Sequence, residues 1–124
     1  MANQKTILFL EDEVELLNTL SMLLRDQGYN IIPVTSGEDA LKLIRQTVPD
    51  LIIADIKLPG MDGFDFFREV RTMKECQKVP FVYVTAYNNL KAAVTAKKEG
   101  AAEYITKPFD FEYFVTRIKT LAPL

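Results

Sequence analysis

The sequence predicts an α/β domain in which five parallel strands alternate with five helices, within one unit spanning residues 1–124. Three observations predict it. The apolar runs Thr6–Leu10, Leu51–Ala54, Phe81–Val84 and Ala102–Thr106 have the length and near-continuous hydrophobicity of strands buried on both faces. Stretches with apolar residues at helical spacing separate them, and strand–helix alternation calls for a parallel sheet joined by right-handed crossovers. At 124 residues, without a linker, repeat or low-complexity tract, the chain fits one domain that can bury about two thirds of its unfolded surface.

The elements follow in order. After the first strand, Val14, Leu16, Leu17, Leu20, Leu23 and Leu24 mark the first helix, and Gly28 suits a left-handed C-terminal cap. Asn30 to Thr35 reads as the second strand; Pro33 cannot donate to a ladder, which places this strand at a sheet edge. Ser36 with Asp39 resembles a capping box opening the second helix, whose apolar face uses Ala40, Leu41, Ile44 and Val48 before Pro49 ends it. Beyond the third strand, Ile56-Lys57-Leu58-Pro59-Gly60-Met61-Asp62-Gly63 is rich in turn formers and leads to a third helix carrying Phe64, Phe67, Val70 and Arg71. Pro80 precedes the fourth strand, Asn88-Asn89 caps a helix that runs through Glu99 to Gly100, and Asp110 caps the last helix, with its stripe of Phe111, Phe114, Val115, Ile118 and Leu121. With the second strand at an edge, the expected order is 2-1-3-4-5, a flavodoxin-like doubly wound sheet whose switch point lies between strands one and three.

Composition excludes several classes. A hydrophobic content of 48% beside 26% charged residues argues for a folded soluble protein rather than a disordered one. The net charge of −2 gives no footprint for direct nucleic-acid binding. No run is long enough to span a bilayer, and Met1-Ala2-Asn3-Gln4-Lys5 leads straight into a strand with no signal-peptide stretch, so a cytoplasmic location is expected. The lone Cys76 excludes an internal disulfide and reads as a bystander. The absence of histidine removes imidazole acid–base catalysis, histidine-assisted nucleophiles and the usual zinc sets. Any chemistry must run on carboxylates, Thr, Lys and Tyr.

Four of the apolar runs stop at reactive polar residues: Glu11 and Asp12, Asp55, Thr85, and Lys107. An Asp after a strand is ordinarily a turn former or a cap, and Asp12 taken alone reads as the cap of the first helix. If the strands are parallel, however, all five side chains meet at the carboxyl ends, where open α/β sheets bind ligands. Three carboxylates there repel one another unless a cation neutralises them. Mg²⁺ answers that need, with Asp12 and Asp55 as direct ligands, Glu11 acting through water and the backbone carbonyl of Lys57 adding an oxygen. Asp55 is then the nucleophile for a phosphoryl group, Lys107 stabilises the transferring oxygens, and Thr85 bonds the installed group. A cis Lys107–Pro108 bond is expected to aim the ammonium into the pocket.

Glu11-Asp12, Asp55 with Lys57-Leu58-Pro59-Gly60-Met61-Asp62-Gly63, Thr85-Ala86 and Lys107-Pro108-Phe109 together resemble the motif set of the response-regulator receiver domain, over essentially the whole chain. The resemblance implies transfer of a phosphoryl group to Asp55 from a sensor histidine kinase or a histidine phosphotransfer protein, with Mg²⁺ required. It further implies a phosphoprotein of a two-component system or phosphorelay rather than a turnover enzyme. Thr85 would move toward the phosphate and Tyr104 rotate into the vacated space, reshaping the surface of the fourth helix, fifth strand and fifth helix, on or beside which lie Lys91, Lys97, Lys98 and Glu103. Lys57 and Tyr87 are large residues flanking the site, a pair found in single-domain regulators that relay phosphate onward, and they imply slow self-dephosphorylation. The chain ends at Leu124, after the fifth helix, and reads either as a stand-alone shuttle or switch or as the receiver of a longer protein whose target or output domain is unknown. Three other readings compete. A haloacid-dehalogenase-type phosphohydrolase would want an acid two residues after the nucleophile, where this chain has Lys57. A phosphorylation-independent interaction module could use the same fold. A nucleotide-binding domain is weaker still, because no glycine-rich loop follows the first strand.

Overall fold

The computed structural model describes residues 4–124, so Met1-Ala2-Asn3 of the expected N-terminal lead-in lie outside the described residues. The elements are β1 (Thr6–Leu10), α1 (Val14–Asp26), β2 (Asn30–Val34), α2 (Gly37–Gln46), β3 (Leu51–Ala54), α3 (Gly63–Thr72), β4 (Phe81–Thr85), α4 (Leu90–Lys98), β5 (Glu103–Thr106) and α5 (Phe111–Leu121), with a short 3₁₀ turn at Lys74–Cys76. All strand pairs are parallel and the order is β2-β1-β3-β4-β5, the flavodoxin-like arrangement expected.

Strand residues alternate between two apolar layers, which is why the strands read as continuous hydrophobic runs. Leu8, Leu10, Ile52, Ala54, Phe81 and Tyr83 pack against α2, α3 and Ala96 of α4. Ile7, Phe9, Leu51, Ile53, Val82 and Val84 pack against α1 and α5. Each fully buried Leu, Ile or Phe contributes about 1.5–3 kcal/mol. Local chemistry sets the helix starts: Ser36 accepts from Asp39 N–H, Asp62 from Asp65 N–H, Asn89 from Ala92 N–H and Asp110 from Tyr113 N–H. Gly28 has φ 110°, the left-handed conformation its place after α1 suggested.

The structure corrects several sequence expectations. Thr85 is the last residue of β4, Thr35 lies outside β2 and Ala102 outside β5. Val48 does not belong to the face of α2; the helix stops at Gln46, Thr47 is extended, and Val48 is exposed, consistent with the restriction Pro49 places on the residue before it. Val14 opens α1 on its solvent side. In α3 the buried stripe is Phe66, Phe67 and Val70, whereas Phe64 is only half-buried. Asp12 does not cap α1, for the cap position is Glu13, which makes no side-chain cap bond.

Candidate functional site

The sheet's hydrogen-bond ladder runs one residue past the strands. Glu11 N–H donates to Val34 O (3.0 Å), Asp55 N–H to Leu10 O (3.0 Å) and Lys107 N–H to Thr85 O (2.8 Å). The main chains of Glu11, Asp55 and Lys107 are therefore tied into the sheet's own hydrogen bonding. Lys107 Nζ donates to Glu11 Oε1 at 2.7 Å and to Asp55 Oδ2 at 3.0 Å. The second oxygen of each carboxylate is also occupied: Glu11 Oε2 accepts from Glu13 N–H (3.1 Å) and Asp55 Oδ1 from Ile56 N–H (2.6 Å). Glu11 and Asp55 are buried and Asp12 exposed, and one oxygen from each of the three lies within 4.8 Å of the others. The Lys107–Pro108 peptide is cis, as expected.

Burial raises the Glu11 carboxyl above its ordinary value, against the opposing hydrogen bond from Lys107. Burial would lower the Lys107 ammonium, but its hydrogen bonds to Glu11 and Asp55 outweigh that and raise it, so Lys107 is charged at neutral pH. With all three acids ionised, three carboxylates face one ammonium and two negative charges stay uncompensated. The donor set is hard oxygen without thiolate or imidazole, which suits a small divalent cation such as Mg²⁺.

A second chain of contacts starts at Thr85, which is fully buried. Its Oγ1 accepts from Tyr87 N–H (3.1 Å), and Tyr87 O accepts from Tyr104 OH (2.6 Å). Among the described residues Thr85 makes no side-chain hydrogen bond to the carboxylates. Tyr104 is half-buried with its ring 5.9 Å from that of Tyr83, so it points inward in this structure. The Lys57 ammonium sits 4.2 Å from the centre of the Tyr87 ring, and Asn89 Nδ2 donates to Tyr87 OH (3.3 Å).

Gly63, which the sequence reading placed among turn formers and in the motif following Asp55 without giving it a role, packs against the Asp55 main chain. Its N–H donates to Ile56 O (2.9 Å), and a Cβ there would lie 2.2 Å from Asp55 O and 2.7 Å from Ile56 Cα. The start of α3 thus presses directly on the Asp55 main chain. Beside Lys107, an apolar groove of about 560 Å³ runs between α1 and the β5–α5 loop, walled by Leu16, Leu20, Leu23, Pro108 and Phe109.

Residues 7–119 match the family model described as the response regulator receiver domain. The transcriptional regulatory protein ZraR of Escherichia coli is 36% identical over 106 residues, covering 86% of this chain and 24% of that protein. AfsQ1 of Streptomyces coelicolor, also a transcriptional regulatory protein, is 34% identical over 116 residues, covering 94% and 50%. The chain thus spans about a quarter to a half of the length of these curated relatives. Among solved structures, the non-phosphorylated HemR receiver domain of Leptospira biflexa superposes with a TM-score of 0.89 at 29% identity, covering 98% of this chain and 96% of that one. The Vibrio cholerae chemotaxis protein CheY4 gives 0.89 at 25% identity, covering 95% and 98%.

Proposed function

The chain belongs to the response regulator receiver domain family, and from that premise we propose that residues 1–124 form a phosphoacceptor module in which Asp55 takes a phosphoryl group from a phosphohistidine. The observation that supports this most directly is the Lys107 ammonium held between Asp55 and Glu11, with Asp12 beside them.

Asp12 and Asp55 would hold Mg²⁺ directly, Glu11 through water, and Lys57 by its backbone carbonyl. When bound, the ion supplies positive charge to the phosphoryl oxygens. An Asp55 carboxylate oxygen attacks phosphorus, the P–N bond of the donor breaks, and its electron pair remains on the imidazole. Lys107 transfers its hydrogen bonding from Asp55 to the phosphoryl oxygens and stabilises them as they gain charge. The donor belongs to a sensor histidine kinase or a histidine phosphotransfer protein, and we assign its docking to the apolar groove beside Lys107, whose walls are Leu16, Leu20, Leu23, Pro108 and Phe109. Because Asp55 is itself modified, the module performs one transfer per phosphorylation cycle and is not a turnover enzyme.

Thr85 supplies the hydroxyl that bonds the installed phosphoryl group. Its movement pulls on Tyr87, whose carbonyl holds Tyr104, and so reaches the α4–β5–α5 surface. Exposed Leu90 and Val94 lie on α4 beside Lys91, Lys97 and Lys98, while Glu103 of β5 is tied to Arg117 (2.6 Å). That surface would pass the state to a target or output domain; the relatives with this domain are named as transcriptional regulators. No described helix is long and apolar enough to cross a membrane, and we assign the module to the cytoplasm.

Incubation with Mg²⁺ and acetyl phosphate tests the reading. A mass increase of one phosphate, absent in Asp55→Asn, is expected. No increase, together with no beryllofluoride adduct, overturns it.

A further inference from the structure

The segment from Ile56 to Asp62 carries Lys57, and two different parts of the fold hold it. At the stem, Gly63 N–H bonds Ile56 O and Ile56 N–H bonds Asp55 Oδ1, while Ile56 and Leu58 are buried in the layer that also contains α2. At the tip the support comes from the first turn of α2. Met61 N–H donates to Glu38 Oε2 (3.3 Å), and Gly60, at φ 73°, lies so near that a Cβ on it would stand 3.0 Å from the same oxygen. The Met61 side chain covers Gly37, where a Cβ would come within 3.1 Å of its Sδ. Lys57 lies between stem and tip.

A backbone carbonyl cannot be re-aimed by a rotamer change; its direction follows from the main chain on either side. Mg²⁺ demands near-ideal octahedral geometry and tolerates little displacement of a ligand. Gly60 has no side chain to pack and takes a φ open chiefly to glycine, so the tip's supports are the Glu38 and Gly37 contacts from α2. We propose that Glu38, with Gly37 beside it, is a positioning residue for the metal site: by gripping the Gly60–Met61 main chain from α2, it fixes the Lys57 carbonyl for a cation held by Asp12 and Asp55. This inference rests on the metal reading above. An acid in the first turn of α2 also favours the helix dipole, and that role alone would leave metal affinity unchanged.

Magnesium titration of the full chain, followed through the backbone amides of Asp12, Asp55 and Lys57, separates these roles when thermal midpoints are measured without metal. Partners of metal ligands typically govern affinity by ten- to a hundredfold, and a single bond acting through the backbone is expected near or below the low end, about three- to tenfold. Glu38→Ala should raise the Mg²⁺ dissociation constant by that factor. Glu38→Gln, which keeps an oxygen acceptor but drops the charge, should stay within about twofold of wild type. Gly37→Ala, which displaces Met61 and leaves Glu38 in place, should weaken binding in the same direction. Equal weakening in Glu38→Ala and Glu38→Gln would make the effect one of charge and overturn the brace. Glu38→Ala binding like a Mg²⁺-binding wild type, whatever its thermal midpoint, overturns the brace alone. A wild type that binds no Mg²⁺ overturns the metal reading and the brace with it.

Discussion

The ammonium of Lys57 rests 4.2 Å from the centre of the Tyr87 ring, joining the residue two positions after Asp55 to the residue two positions after Thr85. A cation–π contact at a partly exposed site contributes about 0.5–1 kcal/mol. Asn89, which also caps α4, pins the Tyr87 hydroxyl from the other end. The pair therefore bridges the β3–α3 and β4–α4 loops, and a phosphoryl group on Asp55 would have this bridge as its roof.

A roof of this kind should obstruct the water that would attack a phosphoryl group on Asp55 in line with the P–O bond. Replacing it with smaller or acidic groups, Lys57→Asn with Tyr87→Glu, is expected to shorten the acyl-phosphate lifetime on the order of tenfold. The single variants should combine non-additively, because each side chain holds the other. Decay of the phosphorylated mass after removal of the donor measures it, and an unchanged lifetime in the double variant defeats the roof's role.

Lys107 and a metal ion should compete for the same negative charge. Lys107→Met leaves buried Glu11 and Asp55 facing each other with no cation, and is expected to lower metal-free stability by about 1–3 kcal/mol. Added Mg²⁺ should then restore more stability to the variant than it adds to wild type, since tighter binding gives larger mass-action stabilisation. Urea midpoints with and without Mg²⁺ read the difference. Equal stabilisation of both proteins would show that the ammonium and the ion do not share a site.

What could be read from the sequence depended on the range of the interaction. Continuous runs such as Leu51–Ala54 declare strands buried on both faces, and the caps at Ser36, Asn89 and Asp110 are local chemistry within three residues. The meeting of Glu11, Asp12, Asp55 and Lys107 followed once the strands were taken as parallel. The phase of α3 was less legible: Phe64, Phe66 and Phe67 crowd one turn, and all three meet β4 rings, Phe66 and Phe67 against Phe81 in the core and half-buried Phe64 edge-on to Tyr83. The Tyr104 bond to Tyr87 O, the Lys57–Tyr87 contact and the Glu38 grip on Met61 each join separate loops or elements, where no periodicity records them.

Gly63 should tolerate no side chain. The atoms that a Cβ would meet are the main-chain Asp55 O at 2.2 Å and Ile56 Cα at 2.7 Å, neither of which can swing aside. Gly63→Ala is expected to destabilise the fold by about 3 kcal/mol or more, at the upper end for overpacking because the obstacle is backbone. It should also lower phosphorylation of Asp55 by displacing its main chain. A urea midpoint close to wild type would show that α3 can shift at little cost.

Alkaline stability should depend on Tyr29. Its buried hydroxyl donates to Ala122 O at 2.7 Å, tying the start of β2 to the end of α5, and burial raises its pKa above the ordinary phenol value of 10.0. Below that value Tyr29 is protonated in both the folded and unfolded chains, and its contribution is constant. As the pH climbs past it, the unfolded chain releases the proton while the folded chain retains it, so stability falls until the folded group also titrates. Tyr29→Phe should cost about 1 kcal/mol at neutral pH for the lost hydrogen bond. Lys107, whose pKa is also raised, adds its own alkaline loss to both proteins, so the difference between their pH slopes isolates Tyr29. Between about pH 9 and about pH 11 the urea midpoint of Tyr29→Phe should fall less steeply than that of wild type. Coincident slopes would mean that folding leaves the Tyr29 pKa where it stands in the unfolded chain.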